Sequence, residues 1–224
     1  MDIIALSFTR KPEEIDQLRE MLGEQGSNVK VFAKIENQEG LNNYDEILDK
    51  ADGIFVGRAN LGLEIPSEKV FIAQKWMIEK ANIASKPIIT SQFFESMIQN
   101  PKPTRAETAD VANAVNDGTD AVMLSGETSR GNYPDKAVAH MSKCCNEAER
   151  CIDYKKTFND IKLFTPSPVS TSEALAASAV STIADLNIAL IIVITQTGHL
   201  VRLVSKYRPS VPILGCSEQS SVIR

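Results

Sequence analysis

The stretch VKVFAKIENQEGLNNYDEILDKADGIFVG, residues 29–57, decides the fold. An apolar run, VKVFAKIE, ends in polar residues. An amphipathic run, GLNNYDEILDKA, follows it, and a second apolar run, GIFVG, closes the unit. The apolar runs have strand length and the middle run has helical periodicity. Strands that pair in parallel need a crossover, and a helix between them supplies it.

The same alternation extends in both directions. DIIALSF (2–8) reads as a buried strand, and KPEEIDQLREMLGEQG as a helix with Pro12 in its first turn. Downstream come the helix SEKVFIAQKWMIEKANIAS, the strand PIIT, the helix RAETADVANAVNDG, the strand AVMLS and the helix PDKAVAHMSKCCNEAER. Five strand–helix units with nearly all-apolar strands predict a parallel sheet covered on both faces. A doubly wound sheet and a β/α barrel both satisfy this pattern. Near Asp153 the character changes. Residues 153–170 have mixed polarity and contain Pro166 and Pro168, which reads as a linker. A second α/β unit, 171–224, begins with an alanine-rich helix and the strand ALIIVIT, and reads as incomplete.

Formal net charge is −5, with 43% hydrophobic and 24% charged residues, so a dominant role on nucleic acid is not expected. No apolar run approaches the ~18 residues of a membrane span, and the opening run is too short for a signal peptide. A cytoplasmic location is the expectation. Cys144, Cys145, Cys151 and Cys216 have neither zinc nor C-x-x-C spacing and read as free thiols.

Chemistry concentrates at the carboxyl ends of the strands, where β/α proteins build their sites. Lys34 and Glu36 lie two apart and share a face. They form either an exposed ion pair, worth ~0–1 kcal/mol, or the polar end of a site in which Glu36 holds a divalent cation and Lys34 faces developing negative charge. After the next strand, Gly57 and Gly62 let the backbone turn sharply or approach a ligand closely, and Arg58 and Asn60 are polar groups at a second carboxyl end; the bland alternative is an ordinary turn. Thr90, Ser91 and Gln92 end a third. Ser125, Gly126 and Thr128 follow a fourth, as a candidate phosphate cradle.

The motifs AKIENQEG (33–40), DGIFVGRANLGLEIP (52–66), ESMIQNPKPTRAETADVANAVNDGTDAVMLSGET (95–128) and Tyr133-Pro134 resemble pyruvate kinase, in that order and over nearly the whole chain. ALIIVITQTG and KYRPSVPIL resemble the family's C-terminal domain, and the plant cytosolic branch is the one resembled. The resemblance implies a partial TIM-type (β/α) barrel, strands four to eight, over residues 1–152. The linker 153–170 and the start of a C-terminal α/β domain over 171–224 would follow. It implies phosphoryl transfer from phosphoenolpyruvate to ADP, giving pyruvate and ATP in glycolysis, with Mg2+ and K+, in a homotetramer. It makes Lys34 the lysine that stabilises the transferring phosphoryl group and the enolate. It makes Glu36 a metal ligand, with Asn60 where the family has the second metal-binding Asp. Ala59 stands at a substrate-contacting glycine, and Ser91 at the threonine that contacts substrate and helps place the proton. Asn60 weakens the metal site, and TSQFFESM is one residue short of the family's pattern. Leu200 in TQTGHL argues against sugar-bisphosphate activation. The family's K+ ligands and its nucleotide-phosphate arginine lie in parts not matched here. Activity is therefore expected to be impaired, with self-association of the chain. The alternative is an inactive paralogue or fragment that binds full-length subunits.

Overall fold

The computed structural model describes residues 1–186 and 188–223, in two compact units, Met1–Cys151 and Ile152–Arg224. In the first unit, strands β1 (Ile3–Leu6), β2 (Lys30–Ile35), β3 (Gly53–Val56), β4 (Ile88–Ser91) and β5 (Ala121–Met123) form one parallel sheet in the order 1-2-3-4-5. A doubly wound sheet reverses direction at a switch point. This order never reverses, so the winding is that of a barrel wall, and among the described residues β1 and β5 do not pair with each other.

Helices α1 (Pro12–Leu22), α2 (Gln38–Asn42), α3 (Tyr44–Lys50), α4 (Arg58–Glu64), α5 (Ser67–Ile83), α6 (Arg105–Asp117), α7 (Gly126–Ser129) and α8 (Pro134–Glu149) connect and follow the strands. Local sequence sets several of their ends. Pro12 opens α1, where its missing N–H costs nothing. Thr104 and Glu107 form a reciprocal capping box on α6, and Gly118 closes that helix in the left-handed region, at φ 99°.

Alternation along the strands separates two faces. Val31, Ala33, Ile35, Ile54, Val56 and Ile88 face the helices and pack with Ile15, Ile47, Met77, Ile78 and Ala81, all fully or nearly fully buried. Each buried Val, Ile or Met among them contributes ~1.5–3 kcal/mol. Tyr44 is completely buried there and donates its hydroxyl to the Met77 carbonyl at 2.7 Å. The other face carries Phe32, Phe55, Ile89, Lys34 and Ser91, related by strand register. Strand β1 departs from its expected burial. Ile3 is 54% exposed at the edge of the sheet, whereas Phe32 and Phe55 on the same face of the inner strands are buried.

Asp52, ahead of β3, accepts the Val31 N–H at 2.9 Å and an Arg19 N–H at 2.7 Å, and so joins α1, β2 and β3. Burial alone would raise its pKa, but these donors, with Lys30 nearby, hold it below the ordinary carboxylate value. A depressed folded pKa stabilises the fold above the unfolded pKa, and that contribution is lost as pH falls through the folded value. The melting temperature of the first unit is therefore expected to fall with pH below ~4. Asp52→Asn should flatten that slope and lower stability at pH 7. Thermal melts of both proteins from pH 3 to 7 check this.

The second unit holds α9 (Tyr154–Phe164), α10 (Thr171–Asp185), β6 (Ile191–Ile194), α11 (His199–Lys206), β7 (Ile213–Cys216) and α12 (Ser220–Ile223), with β6 and β7 parallel. The linker expected over 153–170 is helical for most of its length. Its mixed polarity is an amphipathic pattern: Asp153 caps the helix by accepting the Lys156 N–H, Ile161 is buried among Val180, Leu203 and Tyr207, and Phe158 packs against them. Only the proline-containing segment after Phe164 is irregular. Lys206 is buried and pairs with Glu173, which also accepts the Tyr207 hydroxyl at 3.2 Å. All four cysteines are free; Cys151 and Cys216 are exposed, and Cys144 and Cys145 are half-buried.

Candidate functional site at the strand ends

At the end of β2 the Lys34–Glu36 pair is not a surface ion pair. Glu36 is 3% exposed, and Lys34 Nζ lies 3.4 Å from its Oε1. Lys34 also donates to Ser7 Oγ at 3.1 Å and sits 5.3 Å from the centre of the Phe55 ring. Glu36 Oε2 accepts the Phe8 N–H at 2.9 Å, and a left-handed turn at Phe8 (φ 54°) aims that N–H. Glu36 Oε1 accepts the Asn60 side-chain amide at 2.8 Å.

The segment after β3, readable as a turn, is the helix α4. Gly57 is required at its start for space rather than for φ. A Cβ there would stand 2.5 Å from Glu36 Cγ, so only glycine lets this carboxylate lie against the helix. Ala59 and Asn60 occupy the first turn, whose N–H groups have no partners inside the helix. Arg58 is turned away from the chemistry. It donates to the Ser91 carbonyl (2.7 Å), to Gln74 Oε1 (3.1 Å), to Asp110 and to the Gln92 carbonyl, and it stacks 4.2 Å from the Phe93 ring centre. It is a positioning residue for the chain leaving β4.

In β4, neighbouring hydroxyl residues part company. Thr90 is fully buried on the helix side and bonded to Thr119 Oγ1 at 2.9 Å. Ser91 lies on the Lys34 face, with its hydroxyl donated to the Val56 carbonyl at 3.1 Å and its lone pairs left for a ligand. After β5 the cradle reading fails in part. Thr128 donates to the Ser125 carbonyl, and the Ser125 N–H goes to Glu127 Oε2 at 2.8 Å. Glu127, which sequence reasoning passed over, is buried and ties the two loops together, its Oε1 accepting the Phe94 N–H at 3.0 Å.

These ends converge on one cleft of about 440 Å³. Lys34, Glu36, Ala59, Asn60 and Ser91, the five residues to which the resemblance gives site roles, all line it. Ser125, Gly126, Glu95 and Arg130 complete the rim; the last two carried no sequence signal beyond their charge. The arrangement can receive a small anion between Lys34 and the first turn of α4.

A Mg2+ ion needs hard oxygen ligands in near-octahedral geometry at ~2.0–2.1 Å. Glu36 is the carboxylate expected to hold it, and both its oxygens are engaged. Asn60 presents its N–H, not its carbonyl, toward Glu36. Among the described residues no three His, Cys, Asp or Glu side chains converge as a metal site. As arranged, Glu36 and Asn60, the two expected ligands, bond to each other instead of leaving two oxygens open to a divalent cation.

Comparison with known proteins gives one consistent likeness. The profile of the pyruvate kinase barrel domain matches residues 1–138, and that of the pyruvate kinase alpha/beta domain matches residues 173–224. A pyruvate kinase of Eimeria tenella is 53% identical over 224 residues, covering 100% of this chain and 42% of the relative. The cytosolic isozyme of Nicotiana tabacum is 54% identical over 215 residues, covering 96% of this chain and 42% of the relative. The crystal structure of a pyruvate kinase from Cryptosporidium parvum superimposes with a TM-score of 0.95 at 48% identity, over 99% of this chain and 46% of that one. The chain thus spans less than half the length of the relatives it matches.

Proposed function

This chain belongs to the pyruvate kinase family, and from that premise we propose that its cleft is the phosphoenolpyruvate end of a phosphotransferase site. The reading is carried by the convergence of four successive strand ends on one cleft with Lys34 in its lining. In the proposed reaction the enol-phosphate P–O bond breaks, a β-phosphate oxygen of ADP takes the phosphoryl group, and the enolate carbon takes a proton to give pyruvate. Lys34 would balance charge on the transferring group and on the enolate oxygen, which is the main contribution a protein makes to phosphoryl transfer. Ala59 and Asn60, in the first turn of α4, would hold the substrate's anionic end. Ser91 would stand beside the carbon that receives the proton.

Members of the family use Mg2+ and K+. No step is assigned to Mg2+, because the cleft as arranged does not offer two free oxygens to a divalent cation, nor to K+, whose family ligands are not among the residues matched here. The proposed partners are phosphoenolpyruvate and ADP or ATP, with self-association and without nucleic acid. No helix of the described residues is long and apolar enough to cross a membrane, and several relatives are cytosolic isozymes; a cytoplasmic location is proposed on that basis. A second reading, an inactive paralogue or fragment that binds full-length subunits, is favoured by one observation: the Asn60–Glu36 bond, in which an amide occupies an oxygen of the single carboxylate.

Calorimetry with phosphoenolpyruvate tests the site. The 224-residue chain is expected to bind it, and Lys34→Ala to weaken binding by at least tenfold, since a charge-assisted contact is worth ~1.5–3 kcal/mol. Unchanged affinity in Lys34→Ala would remove the cleft from consideration. A coupled assay for pyruvate separates the two readings: turnover of the chain alone in the kinase range of ~1–100 s⁻¹ would exclude the inactive one.

A further inference from the structure

Asn60 does more than lack a charge. Its amide nitrogen lies 2.8 Å from Glu36 Oε1, with Lys34 Nζ 3.4 Å from the same oxygen and the Phe8 N–H 2.9 Å from Oε2. Rotating the amide by half a turn would set its carbonyl oxygen against the carboxylate with no donor between them, so the observed orientation is the one chemistry selects. Lys34, Glu36 and Asn60 together sum to zero charge. The other carboxylates on the cleft are also committed, Glu127 to two backbone N–H groups and Glu95 to the Gln92 amide at 2.9 Å. A cluster of zero net charge, with both carboxylate oxygens already accepting hydrogen bonds, holds a dication less well than two free carboxylates would.

We infer that the Asn60 amide stands at Glu36 in place of a divalent cation, so that the cleft takes its anionic ligand through Lys34 and the head of α4 without a bound metal. The inference rests on reading this cleft as the phosphoenolpyruvate site, since that reading is what makes a cation expected there. It goes further in assigning the cation's position to a side chain. An aspartate at 60 would place two carboxylates at hydrogen-bond distance with nothing between them. Like charges so placed call for a cation or a proton.

Mn2+ binding, followed by the loss of the free ion's electron paramagnetic resonance signal, tests this in the 224-residue chain. The wild type is expected to show no site at Glu36 tighter than ~1 mM. Asn60→Asp should bind Mn2+ at least tenfold more tightly, and the gain should vanish in Asn60→Asp/Glu36→Gln. Phosphoenolpyruvate affinity should change less than threefold between EDTA and Mg2+ in the wild type, but at least tenfold in Asn60→Asp. A wild-type Mn2+ site tighter than that limit and abolished by Glu36→Gln would overturn the inference, as would an Asn60→Asp variant that gains nothing. If neither protein binds phosphoenolpyruvate under any condition, the reading of the cleft fails, and the Mn2+ titrations still decide the role of Asn60.

Discussion

Replacing Glu173 by alanine is expected to destabilise the second unit by ~3–5 kcal/mol, the cost of leaving a buried charge without its partner. The charge left behind is Lys206, whose side chain is 3% exposed, and the Tyr207 hydroxyl loses its acceptor in the same step. Glu173 also lies in the first turn of α10, where Ser170 Oγ accepts its backbone N–H at 3.2 Å. That cap survives the substitution, so the loss is specific to the carboxylate. Because Trp76, in the first unit, is the single tryptophan, its fluorescence reports that unit while circular dichroism reports both. In urea the dichroism should show an early transition absent from the wild type, and the tryptophan midpoint should stay in place. Adding Lys206→Met should recover most of the loss, because a buried pair replaced by apolar groups is often neutral. A Glu173→Ala protein within 1 kcal/mol of wild type would mean that Lys206 reaches water.

Gly57→Ala is expected to cost about 2–4 kcal/mol, from overpacking and from disrupted hydrogen bonds to a charged group. It should also reduce phosphoenolpyruvate affinity more than tenfold. The new methyl would stand 2.5 Å from Glu36 Cγ and 2.9 Å from Oε1. Glu36 would have to withdraw, releasing the Phe8 N–H, the Asn60 amide and Lys34 together. Gly62, five residues on and inside α4, is the control. A Cβ there meets nothing nearer than Val70 Cγ2 at 3.9 Å. Gly62→Ala should be neutral or stabilising, up to ~1 kcal/mol, because alanine loses less backbone freedom in a helix. Chemical denaturation and calorimetry on the two variants give the comparison, and equal effects would contradict the packing described at Glu36.

What could be read from the sequence follows the strength of each physical signal. The five strands and their long helices were legible because apolar runs and 3.6-residue periodicity report burial directly. Barrel winding was not legible from periodicity, because strand order is a tertiary property; the family resemblance and the unreversed order supplied it. Two short elements were misread. GRANLG carries two glycines and an asparagine, ordinary turn residues, yet Gly57 is there to admit Glu36 and the chain continues as a helix. Residues 154–164 contain too many lysines to look buried, yet only a narrow stripe, Phe158 and Ile161, faces the core. In the cleft, Lys34, Ser91 and Asn60 stood out as polar groups ending apolar runs. The contact between Asn60 and Glu36 could not be read, because it joins residues 24 apart through the ends of two strands. Glu127 was hidden for a related reason: its partners are backbone N–H groups, which leave no trace in a sequence.

The separation of Thr90 from Ser91 bears on which genetic changes this chain can absorb. Both residues carry a hydroxyl, and exchanging their identities would be a mild chemical change. Removing a single codon between Pro87 and Ser91 is a different kind of event, because each later side chain of β4 would be carried through the sheet. The hydroxyl now bonded to Thr119 would then face Lys34, and the one now facing Lys34 would enter the helix layer. Point substitution therefore tunes this stretch, whereas a length change rewrites it. Family members that differ in length here should keep the face alternation of the strand and place the extra residue before Ile88 or after Gln92.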